Sequence, residues 1–221
     1  MPLTPLNVEQ AQTIAKINKT YYKLIQPLLE PLSTIYQLKL NAVYNEQRSI
    51  LTHIARAYFL EQKRDDEINK ATGHLHRLLL DIFKLYALHY TDELDNFEKK
   101  YKNVNILSVD KSRFCSCYFR MKRIAESYLL MAKTREQRDT KLALSFFQKS
   151  YNYYNHLFTY YRKHERSLNA KYKLYILKKT VSLLVGIIAP IVTLAANAYT
   201  TGILRGLMEK YNIFPEILSF L

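Results

Sequence analysis

Arg48 and His53 stand five residues apart in the run RSILTH. On a helix, the guanidinium could hold a phosphate, and the imidazole, with a pKa near neutrality, could move a proton. The same spacing also fits an ordinary pair on a helix surface. A second group lies in GHLHRLLLDIFKLYALHY, which carries His74, His76 and His89. His74 and His76 are two apart and face different directions, so they do not make a metal pair. His74, Arg77, Asp81 and Lys84 share one face, where Arg77 can pair with Asp81 and Asp81 with Lys84 to order a bundle. Cys115 and Cys117 form a Cys-x-Cys without a second pair, so no metal site is expected and the thiols are read as reduced and structural.

A third pattern mixes rings with cations. Tyr151, Tyr153, Tyr154, Phe158, Tyr160 and Tyr161 alternate with Lys149, His156, Arg162, Lys163 and Arg166, and a preceding helix adds Arg113, Arg120, Lys122 and Arg123. Such rings stack on bases while the cations hold phosphates, and they also build protein interfaces. The candidate partner surface is therefore Arg113, Arg120, Lys122, Arg123, Lys149, Tyr153, Tyr154, Arg162, Lys163 and Arg166, against the alternative of a tyrosine-rich core with a solvated basic rim. No phosphate loop, dinucleotide fingerprint, HExxH or placeable Ser-His-Asp set occurs, and no cofactor is expected.

The elements that must position these residues follow from composition. The chain has 221 residues, 48% of them hydrophobic, with only 4 Gly and 6 Pro. This excludes wholesale disorder and argues against turn-rich β folds. Apolar periodicity is helical and turn dipeptides are scarce, so the expected class is all-α, a bundle of about five helices. Asn7 should cap a first helix that Pro27 stops. A second should run from about Ser33 to Lys63. Asp65, Asp66 and Glu67 should open a third, interrupted or bent before Tyr101, and Asp110 a fourth that runs to Ala132. Thr134 with Gln137 fits a capping box for a fifth ending near Arg166.

Charge is uneven. The net charge is +14, yet residues 1–99 hold 12 basic and 12 acidic side chains, whereas residues 100–170 hold 15 basic and 5 acidic. An anionic partner, nucleic acid or lipid, suits that asymmetry. From Thr180 to Leu204 there are 25 consecutive uncharged residues, preceded by Lys171, Lys173, Lys178 and Lys179. A helix of that length, at about 1.5 Å per residue, crosses a hydrocarbon core of about 30 Å with some tilt. The basic flank places the bulk of the chain on the cytoplasmic side of an inner or plasma membrane. Pro190 would kink the segment, Asn197 would seek a partner helix, and Ala198, Gly202 and Gly206 recur every four residues as a smooth stripe for close helix approach. The alternative is a buried core helix. The closing IFPEILSFL could lie in the interface or pack on the bundle. The division expected is a basic helical domain over 1–170 and a hydrophobic membrane segment over 171–221.

Two resemblances follow. The Arg-x4-His of Arg48 and His53, in an all-helical chain, resembles the signature of HEPN domains, helical bundles that often cut RNA as dimers. That resemblance implies a ribonuclease in which Arg48 contacts the scissile phosphate and His53 handles the 2′-hydroxyl proton. The family commonly carries a polar amide-bearing or acidic residue after the arginine, where this chain has Ser49. The layout as a whole looks like that of small membrane-acting effectors of bacterial antiviral defence, including those of retrons and the helical accessory proteins of CRISPR systems. It implies a non-enzymatic effector that self-associates through its tail, perturbs the membrane, and answers to nucleic acid or a nucleic-acid-bound protein. A tail-anchored scaffold is the plainest alternative.

Overall fold

The computed structural model describes residues 5–36 and 40–211, and the closing stretch 213–221 lies outside them. The described residues are all-helical, without a strand. They form α1 (Val8–Thr20), α2 (Gln26–Ile35), α3 (Asn41–Phe59), α4 (Arg64–Tyr101), α5 (Arg113–Arg135) and α6 (Thr140–Tyr211). By compactness the chain divides into Met1–Arg166 and Ser167–Leu221.

Asn7 caps α1 as its side chain type dictates. Its Oδ1 accepts the Gln10 N–H at 2.8 Å, and Gln10 Oε1 accepts the Asn7 N–H at 3.0 Å, a reciprocal box that satisfies two of the orphan donors. Pro27, expected to end this helix, does not. A π-helical turn, Tyr21–Ile25, joins α1 directly to α2, and the Gln26 N–H reaches back to the Tyr21 carbonyl. Widening the turn just before Pro27 accommodates a residue that has no N–H and whose ring would otherwise meet the carbonyl four residues back. The second helix accordingly starts at Asn41 rather than near Ser33.

The third runs uninterrupted for 38 residues, opened by Asp65, Asp66 and Glu67 and closed at Tyr101 after Lys99 and Lys100, charges that suit the two ends of the helix dipole. No bend is needed because α4 is the central strut: α1, α2 and α3 all pack on it. Buried Leu75, Leu78, Leu79, Ile82 and Phe83 hold it through the stretch after Gly73. Packing of that extent outweighs the helix penalty of a single glycine, about 1 kcal/mol. Tyr86 Oη donates to the Leu28 carbonyl at 2.8 Å, fixing α2 on α4. Arg64, 8% exposed, donates from Nε to the Ala57 carbonyl and from Nη1 to the Pro5 carbonyl, closing the α3–α4 corner.

The entry to α5 is later than Asp110. Asp110, Lys111 and Ser112 all take positive φ (48°, 50° and 69°), a conformation that costs non-glycine residues energy, and the helix begins at Arg113 and ends at Arg135 rather than Ala132. Thr134 therefore lies inside α5 and caps nothing; its hydroxyl donates to the Met131 carbonyl. The next helix is capped instead by Asp139, whose Oδ1 accepts the Leu142 N–H at 2.9 Å. That helix does not end near Arg166 but continues as α6 to Tyr211.

Within the first unit, residues 140–166 of α6 carry rings to both neighbours. Tyr151, Tyr154 and Phe158 meet Tyr90 of α4 with centroids 6.1, 5.5 and 4.9 Å away, and Tyr161 meets Phe97 at 5.0 Å. On the other side Tyr160 stacks on Phe114 of α5 at 5.8 Å, and Tyr153 on Tyr128 at 5.7 Å. Ser150, buried, donates to the Ala125 carbonyl at 2.8 Å. Rings that cover many directions on one helix are thus explained by two packing partners. Each such pair contributes about 0.5–1.5 kcal/mol beyond the area it buries.

Candidate functional site

Three groups of residues carry the candidate chemistry. The first is the apolar part of α6. Within Thr140–Leu207 one helical stretch is long and apolar enough to cross a membrane, and none of it is buried. Leu183, Val185, Ile187, Ile191, Val192 and Leu194 are exposed in the folded chain, Leu194 to 69%. Two hydroxyls in the segment bond to the helix itself: Thr193 donates to the Ala189 carbonyl at 2.8 Å, and Thr200 to the carbonyls of Ala196 and Asn197 at 2.9 and 3.0 Å. That is the arrangement a helix needs where no water is present. Pro190 lies inside the helix. Ala198, Gly202 and Gly206 are exposed, and a Cβ added at either glycine would meet nothing within 4 Å. Neither glycine has positive φ. Nothing in the chain's own conformation or packing requires glycine at 202 or 206.

The second group is the basic surface of α5 and residues 140–166 of α6. Arg113, Arg120, Arg123, Arg162, Lys163 and Arg166 are exposed. Lys122 is not a free cation, because it pairs with Glu98 of α4 and with Glu126 at 3.8 Å. Lys149 lies over the rings of Tyr128 and Phe146 at 5.5 and 5.6 Å. Tyr153 is half-buried on Tyr128. Tyr154 is 1% exposed and belongs to the core, which corrects its place in the candidate partner surface. Burial raises the phenol pKa of Tyr154 and of Tyr90, and pushes Tyr161 up to about 12. These hydroxyls stay protonated and act as packing groups rather than as bases.

The third group is the expected catalytic pair. Arg48 is exposed and its Nη2 donates to Asn45 Oδ1 at 3.4 Å, whereas His53 turns toward α4. Five residues on a helix set two side chains about 140° apart, so a single chain does not bring this pair together. His53 instead meets a residue that the sequence places only at a helix start. Its Nδ1 is 2.7 Å from Glu67 Oε2, with Glu67 side chain 5% exposed. His74 Nδ1 is likewise 2.7 Å from Glu46 Oε2, which also accepts from Arg77 Nε at 3.3 Å. Arg77 thus serves Glu46 on α3 rather than Asp81, while Asp81 lies 3.9 Å from Lys84, which itself pairs with Glu136. The two imidazoles stack with centroids 5.0 Å apart. A carboxylate only accepts, so the Glu67 contact puts the His53 ring proton on Nδ1, whereas His74 Nδ1 also has Arg77 Nη2 at 3.0 Å. The two bridges run in opposite directions between α3 and α4 and lock their register. Glu46 and Glu67 could not be found from spacing, since each meets a histidine on the other helix.

His76 lies apart from this pair, and burial, helped by Lys141 and Lys16, lowers its pKa and favours the neutral ring. Among the described residues no three of His, Cys, Asp and Glu converge as metal ligands, and Cys115 and Cys117 are free thiols.

The Glu67 bridge has a pH signature. Its hydrogen bond from His53, with smaller help from Lys70, holds the Glu67 carboxyl below its ordinary value of 4.5. Stabilisation from this group is therefore complete above about pH 4.5 and is lost as the pH falls through the lowered folded value. Glu67→Gln should melt lower than the parent at neutral pH and lose less of its melting temperature between pH 5 and pH 3, measured by circular dichroism. A parallel pair of pH profiles would show that the bridge does not shape acid stability.

No family model, curated protein or solved structure matches the chain.

Proposed function

We propose that this chain is a non-enzymatic membrane effector whose α6 inserts through its apolar segment, self-associates and perturbs the bilayer. One observation carries the reading: a long apolar stretch of α6 has no buried residue. Glycine at 202 and 206 supports self-association, because nothing within the chain occupies the space beside them and a second helix could. Asn197, whose amide has no intrachain partner among the described residues, supplies a polar contact for that second helix.

The lysines at 171, 173, 178 and 179 support a cytoplasmic position for residues 1–166 at an inner or plasma membrane. The exposed basic side chains of α5 and α6 serve an anionic partner, nucleic acid or a nucleic-acid-bound protein, that controls insertion or assembly. In this the chain resembles the small membrane effectors of antiviral defence.

The test is dye release from sealed liposomes on adding the purified full chain. Release at low protein-to-lipid ratio supports the reading, and intact vesicles carrying inserted protein reduce it to a tail-anchored scaffold. The same preparation, incubated with RNA, separates the ribonuclease alternative. Cleavage by the parent that His53→Ala abolishes would favour a HEPN-like enzyme using Arg48 and His53.

A further inference from the structure

Between α4 and α5 lies an open concavity of about 720 Å³ lined by Glu98, Ser116, Phe119, Arg120, Lys122, Arg123 and Glu126. We infer that it is the docking site of a single-stranded nucleic acid, whose phosphates lie on the arginines of α5 and one of whose bases stacks on Phe119. The inference deepens the reading above by naming the class of its anionic partner, and it does not depend on membrane insertion.

The charges are sorted before any ligand arrives. Glu98 and Glu126 would repel a phosphate, but both are turned onto Lys122, and Glu98 Oε1 also accepts from Tyr118 Oη at 3.2 Å. One lysine thus absorbs the two carboxylates. Arg120 and Arg123 make no ion pair in the chain among the described residues, and neither does Arg113 one turn or more before them. Helical geometry places Arg113, Ser116, Arg120, Arg123 and Ser127 within an arc of about 80°, along a stripe about 15 Å long from the first arginine to the last. All five are exposed. An anion running along the stripe would meet all three guanidiniums in turn. Their planar forks suit phosphate oxygens better than ammonium groups would, and the interposed serine hydroxyls can donate to the same backbone.

The strandedness follows from Phe119. It is 52% exposed on the rim of the concavity and meets Tyr118 edge-on at 5.2 Å, which leaves a ring face open. Only an unstacked base can use that face, because duplex bases are already stacked on their neighbours. A flat lipid surface would meet a convex patch, whereas here the cations border a concavity with the ring among them.

The experiment is fluorescence anisotropy of a labelled oligouridylate with the full chain in detergent micelles, across a salt series, beside a duplex of equal length. The parent should bind the single strand more tightly than the duplex. Arg113→Gln, Arg120→Gln and Arg123→Gln combined should flatten the log–log salt slope by about 2, from three lost phosphate contacts at about 0.7 each. Phe119→Ala should weaken the single strand at least about fivefold and leave duplex binding unchanged. Removing equal charge from α1 and the turn after it, by Lys16→Gln, Lys19→Gln and Lys23→Gln, should leave the slope as in the parent. The inference is overturned by equal binding of strand and duplex, by an unchanged slope in the triple arginine variant, or by polyglutamate displacing the strand as well as unlabelled oligouridylate does. Loss to the strand with retention on phosphatidylglycerol vesicles through the same arginines would overturn it in favour of lipid. A chain that leaves membranes on extraction yet binds the strand would remove the membrane reading and keep this one.

Discussion

Replacing Gly202 and Gly206 together by isoleucine should abolish both oligomers and dye release while leaving the chain in the membrane. Space beside both glycines is empty in the folded chain, so the new side chains meet no intrachain obstacle. Isoleucine also favours insertion, by about 0.3–0.6 kcal/mol per residue at a helix centre. What the substitution removes is the smooth stripe of Ala198, Gly202 and Gly206 along which a second helix could approach closely. Asn197→Leu should act in the same direction but more weakly. Interhelical hydrogen bonds of this kind contribute about 0.6 kcal/mol on average, a factor of roughly three in association. Crosslinked oligomers in native membranes and dye entry into cells are the two readouts. Undiminished leakage in the double isoleucine variant would mean that the bilayer is perturbed without close helix packing.

The second large effect comes from removing the segment altogether. Deletion of Thr180–Leu221 should convert the chain from membrane-bound to soluble without unfolding what remains. The buried hydrophobic residues of the described chain run from Ile14 to Leu168, and none comes from the deleted part. Their largest members, Phe114, Tyr118, Phe147 and Tyr154, all lie before residue 167. A core of that kind should unfold cooperatively, and loss of one such ring by Tyr154→Ala should cost about 3–5 kcal/mol. Helical circular dichroism with a single thermal transition is the expected result for residues 1–179. A disordered spectrum would show that the tail contributes to the core.

How much of this was legible in the sequence depends on whether the signal is local. The helical class, the Asn7 cap, the acidic start of α4 and its end at Tyr101 rest on residues a few positions apart, and each is present as read. Apolar continuity from Thr180 to Leu204 is equally local, and the structure carries it as helix, exposed over 180–203. Pro27 was misjudged because the remedy is the π-helical turn before it, which no residue type announces. Thr134 and Gln137 have the spacing of a capping box, yet Asp139 wins the position because α5 persists through Thr134. Tyrosines at 151, 153, 154, 160 and 161 cover several directions on one helix, and they serve two neighbours. The bridges His53–Glu67 and His74–Glu46 cross between helices, so only the packing of α3 on α4 reveals them. For the same reason the sequence groups Lys122 with a basic patch, although Glu98 from another helix neutralises it.

The central claim is that α6 enters the bilayer, and alkaline carbonate extraction of membranes from cells expressing the full chain tests it most directly. Carbonate strips proteins held by charge or by folded partners and leaves those embedded in hydrocarbon. The account predicts that the full chain stays in the membrane pellet while the chain lacking Thr180–Leu221 is found in the supernatant. Release of the full chain into the carbonate supernatant would contradict it.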